Sequence, residues 1–94
     1  MTDNRIKQIA DYNGAKVILN KLTEEAGELT TAIARFQSKW VDPNNEPEEL
    51  FENLIEEAAD TMIMIEQLRL QCPDLFDSYK EAKVNRQMQR MGEK

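Results

Sequence analysis

Apolar residues recur along this chain at intervals of three and four, the spacing that gathers them on one side of a helix. Ile18, Leu22, Leu29, Ala32 and Phe36 form one such stripe, and Leu50, Leu54, Met64 and Leu68 form a second. No run of Val, Ile and Thr alternates with period two, and good helix formers dominate, so the pattern predicts an all-α chain. Four helices are expected. The first covers about Asp3 to Asp11, with Ile6, Ile9 and Ala10 as its apolar edge. It packs across the end of the bundle and stops at the Asn13-Gly14 turn signal. The second runs from about Ala15 to Lys39 and ends at the polar segment Asp42-Pro43-Asn44-Asn45. Pro47, Glu48 and Glu49 open the third with a first turn that complements the helix dipole, and it continues to about Gln71. Cys72-Pro73-Asp74 breaks the chain again, and the fourth extends from about Pro73 to Met91, before Gly92. Met62 and Met64 read as core filler. The third helix has apolar residues on more than one side, because Ile55, Ala59, Met62 and Ile63 lie off its main stripe. That extra face predicts a homodimer or homotetramer, most simply a twofold dimer.

Two acids break the stripes. Glu25 stands between Leu22 and Leu29, and Glu57 between Leu54 and Thr61, where the rhythm calls for apolar side chains. Glu28 and Asp60 each follow three residues later on the same helix face. Antiparallel packing of the two helices would bring all four carboxylates together. Ionised carboxylates without partners in an apolar interior cost several kcal/mol each, so the arrangement calls for cations. The chain has no histidine and only Cys72 for a thiol, which excludes the usual zinc sites, an intrachain disulfide framework and the Glu-x-x-His sets of di-iron bundles. Oxygen ligands select hard cations, so Mg²⁺ is the natural occupant and Mn²⁺ a substitute. Two such ions would neutralise a polyphosphate and make a bound water nucleophilic.

The 94 residues make one domain, spanning 1–94. A net charge of −6 argues against nucleic acid as a partner. Polar residues follow Met1, and no apolar run reaches signal-peptide or membrane-spanning length, so a cytoplasmic protein without a membrane partner is expected. On the last helix Tyr79, Lys83, Arg86 and Arg90 form a stripe apart from Val84, Met88 and Met91. Lys83, Arg86 and Arg90, with Lys21 one turn before Glu25, would hold phosphate charge. A second account of the same residues is structural. Lys21 would pair with Glu25 and the Arg86 region would neutralise the remaining acids, in a non-catalytic helical oligomer.

Lys21-Leu22-Thr23-Glu24-Glu25-Ala26-Gly27-Glu28-Leu29 resembles the E-E-x-x-E-L signature of the MazG-like all-α nucleoside triphosphate pyrophosphohydrolases, and Glu57-Ala58-Ala59-Asp60 resembles its E-x-x-D partner. Arg5 to Tyr12 is similar to the opening of the small single-domain members from bacteria and phages, and Lys83-x-x-Arg86-x-x-x-Arg90 to their basic C-terminal helix. The resemblance implies a four-helix domain, assembled as dimers or tetramers, that uses Mg²⁺ to split a nucleoside triphosphate into monophosphate and pyrophosphate. It implies Glu25, Glu28, Glu57 and Asp60 as metal ligands. Glu24 would be a further ligand or the group that orients the attacking water, making Glu24 and Glu25 the catalytic pair. The phosphate-binding positions would be Lys83, Arg86 and Arg90.

Overall fold

The computed structural model describes residues 3–38 and 47–93, all organised around helices. There are three: α1 (Arg5–Gln37), α2 (Pro47–Arg69) and α3 (Pro73–Gly92). The all-α expectation is met, but the count of four is corrected to three. The expected break at Asn13-Gly14 is present as a kink at one residue, Gly14 (φ 76°, ψ 162°). Helical geometry resumes at Ala15, so no loop separates the two segments. The expected loop at 42–45 lies outside the described residues, as does the expected helix end at Lys39. Ser38 follows α1 and returns its backbone N–H to the carbonyls of Ala34 and Phe36.

α1 and α2 form an antiparallel pair, shown by three cross-helix contacts in reversed order. Asn13 Nδ2 donates to Gln67 Oε1 at 2.9 Å, Thr61 Oγ1 approaches the Glu25 carbonyl at 3.3 Å, and the Phe36 and Phe51 rings stand 5.7 Å apart. The two predicted stripes face each other across this seam. Ile18, Ala32, Thr61 and Met64 are buried, and Leu22, Leu29, Phe36, Leu50, Leu54 and Leu68 are half-buried. The core centres on Ala10, Ile18 and Met64, with Leu22, Leu68 and Leu70 packed around them. Ala10 therefore belongs to the central core, which refines the expectation that the first segment only caps the bundle end. Of the two core methionines expected, Met64 is buried, whereas Met62 is 61 % exposed and belongs to the outer side of α2.

One buried polar residue, Gln67, is 1 % exposed and has a partner at each polar atom: its carbonyl accepts from Asn13 and its amide approaches Met64 Sδ at 3.4 Å. A buried amide without such partners would cost more than the hydrogen bonds return. The pair thus fixes the residue before the kink to the far end of α2.

α3 leaves α2 through a tight elbow. Gln71 and Cys72 donate backbone N–H groups to the Leu68 and Arg69 carbonyls, and Pro73 opens the new helix, where its missing N–H is not needed. Arg69 clamps the elbow, with Nε and Nη2 both 2.8 Å from the Asp77 carboxylate and Nη1 3.0 Å from Glu66 Oε1. α3 itself buries no residue. Among the described residues, no helix is long and apolar enough to cross a membrane.

The backbone at Gly14 lies in a region that essentially only glycine occupies. A Cβ there would meet nothing within 4 Å, so the cost of a side chain comes from the backbone alone. Gly14→Ala is expected to destabilise the protein by about 1–3 kcal/mol, read as a lower urea midpoint with an unchanged slope. A midpoint equal to the wild type would show that the kink is not a fixed feature.

Candidate metal centre

The two interrupting glutamates meet where the helix seam is tight. Thr61 Oγ1 lies 2.8 Å from the Glu57 carbonyl and 3.3 Å from the Glu25 carbonyl, so one hydroxyl sets the separation of the two helices at the acid positions. Glu25 and Glu57 then project into the space between the helices, and Glu28 enters from the exposed side. One carboxylate oxygen from each of Glu25, Glu28 and Glu57 lies within 4.8 Å of the others. Glu25 Oε2 and Glu57 Oε2 are buried and have no hydrogen-bond partner.

Both half-buried acids hold protons more tightly than an ordinary glutamate. For Glu25 the main cause is burial, followed by the charges of Glu28 and Asp60. For Glu57 burial again comes first, followed by the close approach and charge of Glu28 and by the charges of Asp60 and Glu25. Ionised carboxylates offer only acceptors, so crowding them together favours the retention of a proton. With all three ionised, the two Oε2 atoms are orphaned. A hard cation or a proton satisfies them, and the spacing of three oxygen donors fits a hard cation.

A groove of about 670 Å³ runs alongside the acids. Glu24, Glu28 and Glu57 line it, with Thr31, Arg35 and Asn53 among the remaining wall residues. Of the sequence-derived ligands, Glu25, Glu28 and Glu57 are brought together. Asp60 lies outside this group of three but close enough for its charge to raise the proton affinity of Glu25 and Glu57. Lys21 is exposed on α1, and among the described residues no ion pair joins it to Glu25. Lys83, Arg86 and Arg90 lie exposed on α3, outside the acid-lined groove, and Lys83 borders a different groove between α2 and α3.

Sequence reasoning missed Arg35, Thr31 and Asn53. Thr31 and Arg35 follow Glu28 at three and seven residues, and Asn53 precedes Glu57 by four, so each shares a helix face with an acid. That spacing was the available signal. No protein-family model matches this chain, and neither does any curated protein or solved structure.

The raised affinities give a pH dependence with a definite sign. Above the ordinary glutamate range the unfolded chain has released these protons while the folded chain still holds them, so stability falls as pH rises through the raised values. Asp3 and Asp77 act oppositely but only in more acid solution, because Arg5 holds Asp3 down to about 2 and Arg69 holds Asp77 below its usual range. No histidine titrates in between. In chelator, the melting temperature is expected to be lower at pH 7.5 than at pH 5. Glu57→Gln should raise the value at pH 7.5 and flatten the dependence, because a neutral amide also donates to the neighbouring carboxylates. Equal melting temperatures at the two pH values in the wild type would show that the acids are not confined together.

Proposed function

We propose that this protein is a Mg²⁺-dependent nucleoside triphosphate pyrophosphohydrolase of the MazG-like type, converting a nucleoside triphosphate to monophosphate and pyrophosphate. The observation that carries this reading is the pair of buried, unpartnered oxygens on Glu25 and Glu57, converging with Glu28 between packed helices. Random surface acids do not lose their solvent, and a purely structural acid cluster would need cationic side chains. Among the described residues, none of the ion pairs involves Glu25, Glu28, Glu57 or Asp60. The motif resemblance supplies the reaction.

In this reading Glu25, Glu28 and Glu57 hold the ion, and Asp60 completes the set or helps to hold a second. When bound, Mg²⁺ would neutralise triphosphate charge and lower the pKa of a coordinated water. Glu24, on the groove wall, orients the attacking water and accepts its proton as the α-phosphorus is attacked and pyrophosphate leaves. Arg35 offers a fork of N–H donors in the same groove, suited to a phosphate oxygen pair, and Thr31 and Asn53 add neutral donors. Lys83, Arg86 and Arg90 would meet phosphate in an assembled homodimer or homotetramer.

Pyrophosphate release from a panel of canonical and modified nucleoside triphosphates tests the reading. Release is expected with Mg²⁺, absent in chelator, and reduced in Glu57→Gln by more than the roughly 10–100-fold that loss of an outer-shell group costs a metal site. At about a hundredfold excess over its dissociation constant, Mg²⁺ should also raise the melting temperature by on the order of 10 °C. Release that survives chelator, or silence across the panel with no Mg²⁺-dependent melting shift, would sink the proposal.

A further inference from the structure

Thr61 occupies the level of the α1–α2 seam at which the acids converge. It follows Glu57 by one turn of α2 and is 6 % exposed, so its hydroxyl must find partners within the protein. Its Oγ1–H donates to the Glu57 carbonyl at 2.8 Å, within α2, and to the Glu25 carbonyl at 3.3 Å, across the seam. Both acceptors are backbone atoms of acids in the cluster, one on each helix. The hydroxyl therefore ties together the two residues whose carboxylates reach the same point from different helices. Other links across the pair lie far from this level. Asn13, bonded to Gln67, precedes Glu25 by twelve residues, about 18 Å along a helix, and Phe36, packed on Phe51, follows it by eleven. Because the partners of Thr61 are carbonyls and not carboxylates, it acts on an ion through Glu25 and Glu57.

We propose that Thr61 is a positioning residue that sets the ion discrimination of the acid cluster: it holds the Glu25 and Glu57 backbones at one separation and so favours a small divalent cation over a larger one. The inference rests on the reading that Glu25, Glu28 and Glu57 hold Mg²⁺. Its physical basis is the contrast between two hard cations. Mg²⁺ demands near-ideal octahedral geometry with oxygens at about 2.0–2.1 Å, whereas Ca²⁺ accepts irregular shells at about 2.3–2.6 Å. Ligands held at a fixed spacing can be matched to the first ion. Ligands free to drift lose that match, while the second ion adapts to them. Apolar packing does not supply the fixed spacing, because it is non-directional. Ile18, Ala32 and Met64 hold the helices together but leave them free to slide or turn by small amounts. A hydrogen bond weakens steeply once it is out of line, so Thr61 resists such movement at the acids themselves. The same position explains why a polar residue stands in an apolar stripe. Valine would fill the space and keep the rhythm, but it would supply no donor.

Calorimetric titration of the nucleotide-free protein with Mg²⁺ and, separately, with Ca²⁺ tests this, with melting in chelator recorded alongside. Thr61→Val is expected to weaken Mg²⁺ binding by roughly 10–100-fold, the usual cost of losing an outer-shell group, and to leave Ca²⁺ binding nearly unchanged. The ratio of the two dissociation constants then shifts toward Ca²⁺ by about tenfold or more. Thr61→Ser keeps the hydroxyl and should keep the wild-type ratio, even where loss of the methyl lowers the melting temperature in chelator. Should the valine variant lose its helical circular dichroism, Thr61→Ala removes the hydroxyl without adding a second methyl and carries the same expectation. A merely structural threonine would move the melting temperature and scale both affinities together. An unchanged ratio in the hydroxyl-free variants, or a serine variant that shifts as valine does, overturns the proposal and leaves the metal reading standing. A wild type that binds neither ion overturns both.

Discussion

The confinement of Glu25 and Glu57 between two packed helices governs this structure. Each occupies a place in a stripe whose other members are apolar or small, and each leaves one carboxylate oxygen buried without a partner. Helix propensity does not put them there, since glutamate is as content on a solvated face. The packing does: once Ile18, Ala32 and Met64 are buried, the positions between them in the repeat must point inward too. Thr61 makes the confinement rigid. Its hydroxyl is shared between the Glu57 and Glu25 carbonyls, so the helices cannot part at this level without losing the bond that spans them.

The rest of the α1–α2 pair holds that seam closed from both ends. On one side Ala10, Ile18 and Met64 make the core, and the Asn13–Gln67 bond locks the kinked start of α1 to the end of α2. On the other side Phe36 and Phe51 pack ring against ring at a tilt of 53°. The acids lie between these anchors, where a ligand would find its oxygens already positioned. Preorganisation of this kind lowers the cost of gathering like charges at the moment of binding, because folding has already met it.

Most of this was legible in the sequence, and the reasons it was legible are physical. A period of 3.6 residues fixes which side chains share a face, so the two stripes, the inward acids and the clustering of Glu25, Glu28 and Glu57 all follow from spacing. Gly14 was legible as a break but not as a kink, because residue identity marks where helical geometry fails and not how soon it resumes. The two methionines carry a similar lesson: Met62 and Met64 are equally apolar, and place in the repeat, not residue type, separates buried Met64 on the main stripe from exposed Met62 off it. Arg35 was hidden for another reason. Its place by the acids depends on a groove formed jointly with Asn53 of α2, and no pattern within α1 alone records which partner residue lies opposite.

α3 marks where reading one chain stops being sufficient. Its alternation of basic and apolar stripes predicts a helix correctly, yet inside one chain neither stripe has a purpose: the apolar residues cover nothing and the cations stand away from the acids of α1 and α2. A helix of 20 residues that buries none of them gains little from its own chain beyond the elbow, and most helical stability in proteins comes from packing an amphipathic face rather than from propensity. Burial against another surface is what makes such a helix persist. The acid seam works in the opposite sense, because its like charges oppose folding until a proton or cation enters. Folding of this small protein is thereby opposed at the acid seam and only weakly supported by α3, so the α1–α2 core supplies most of what holds it together.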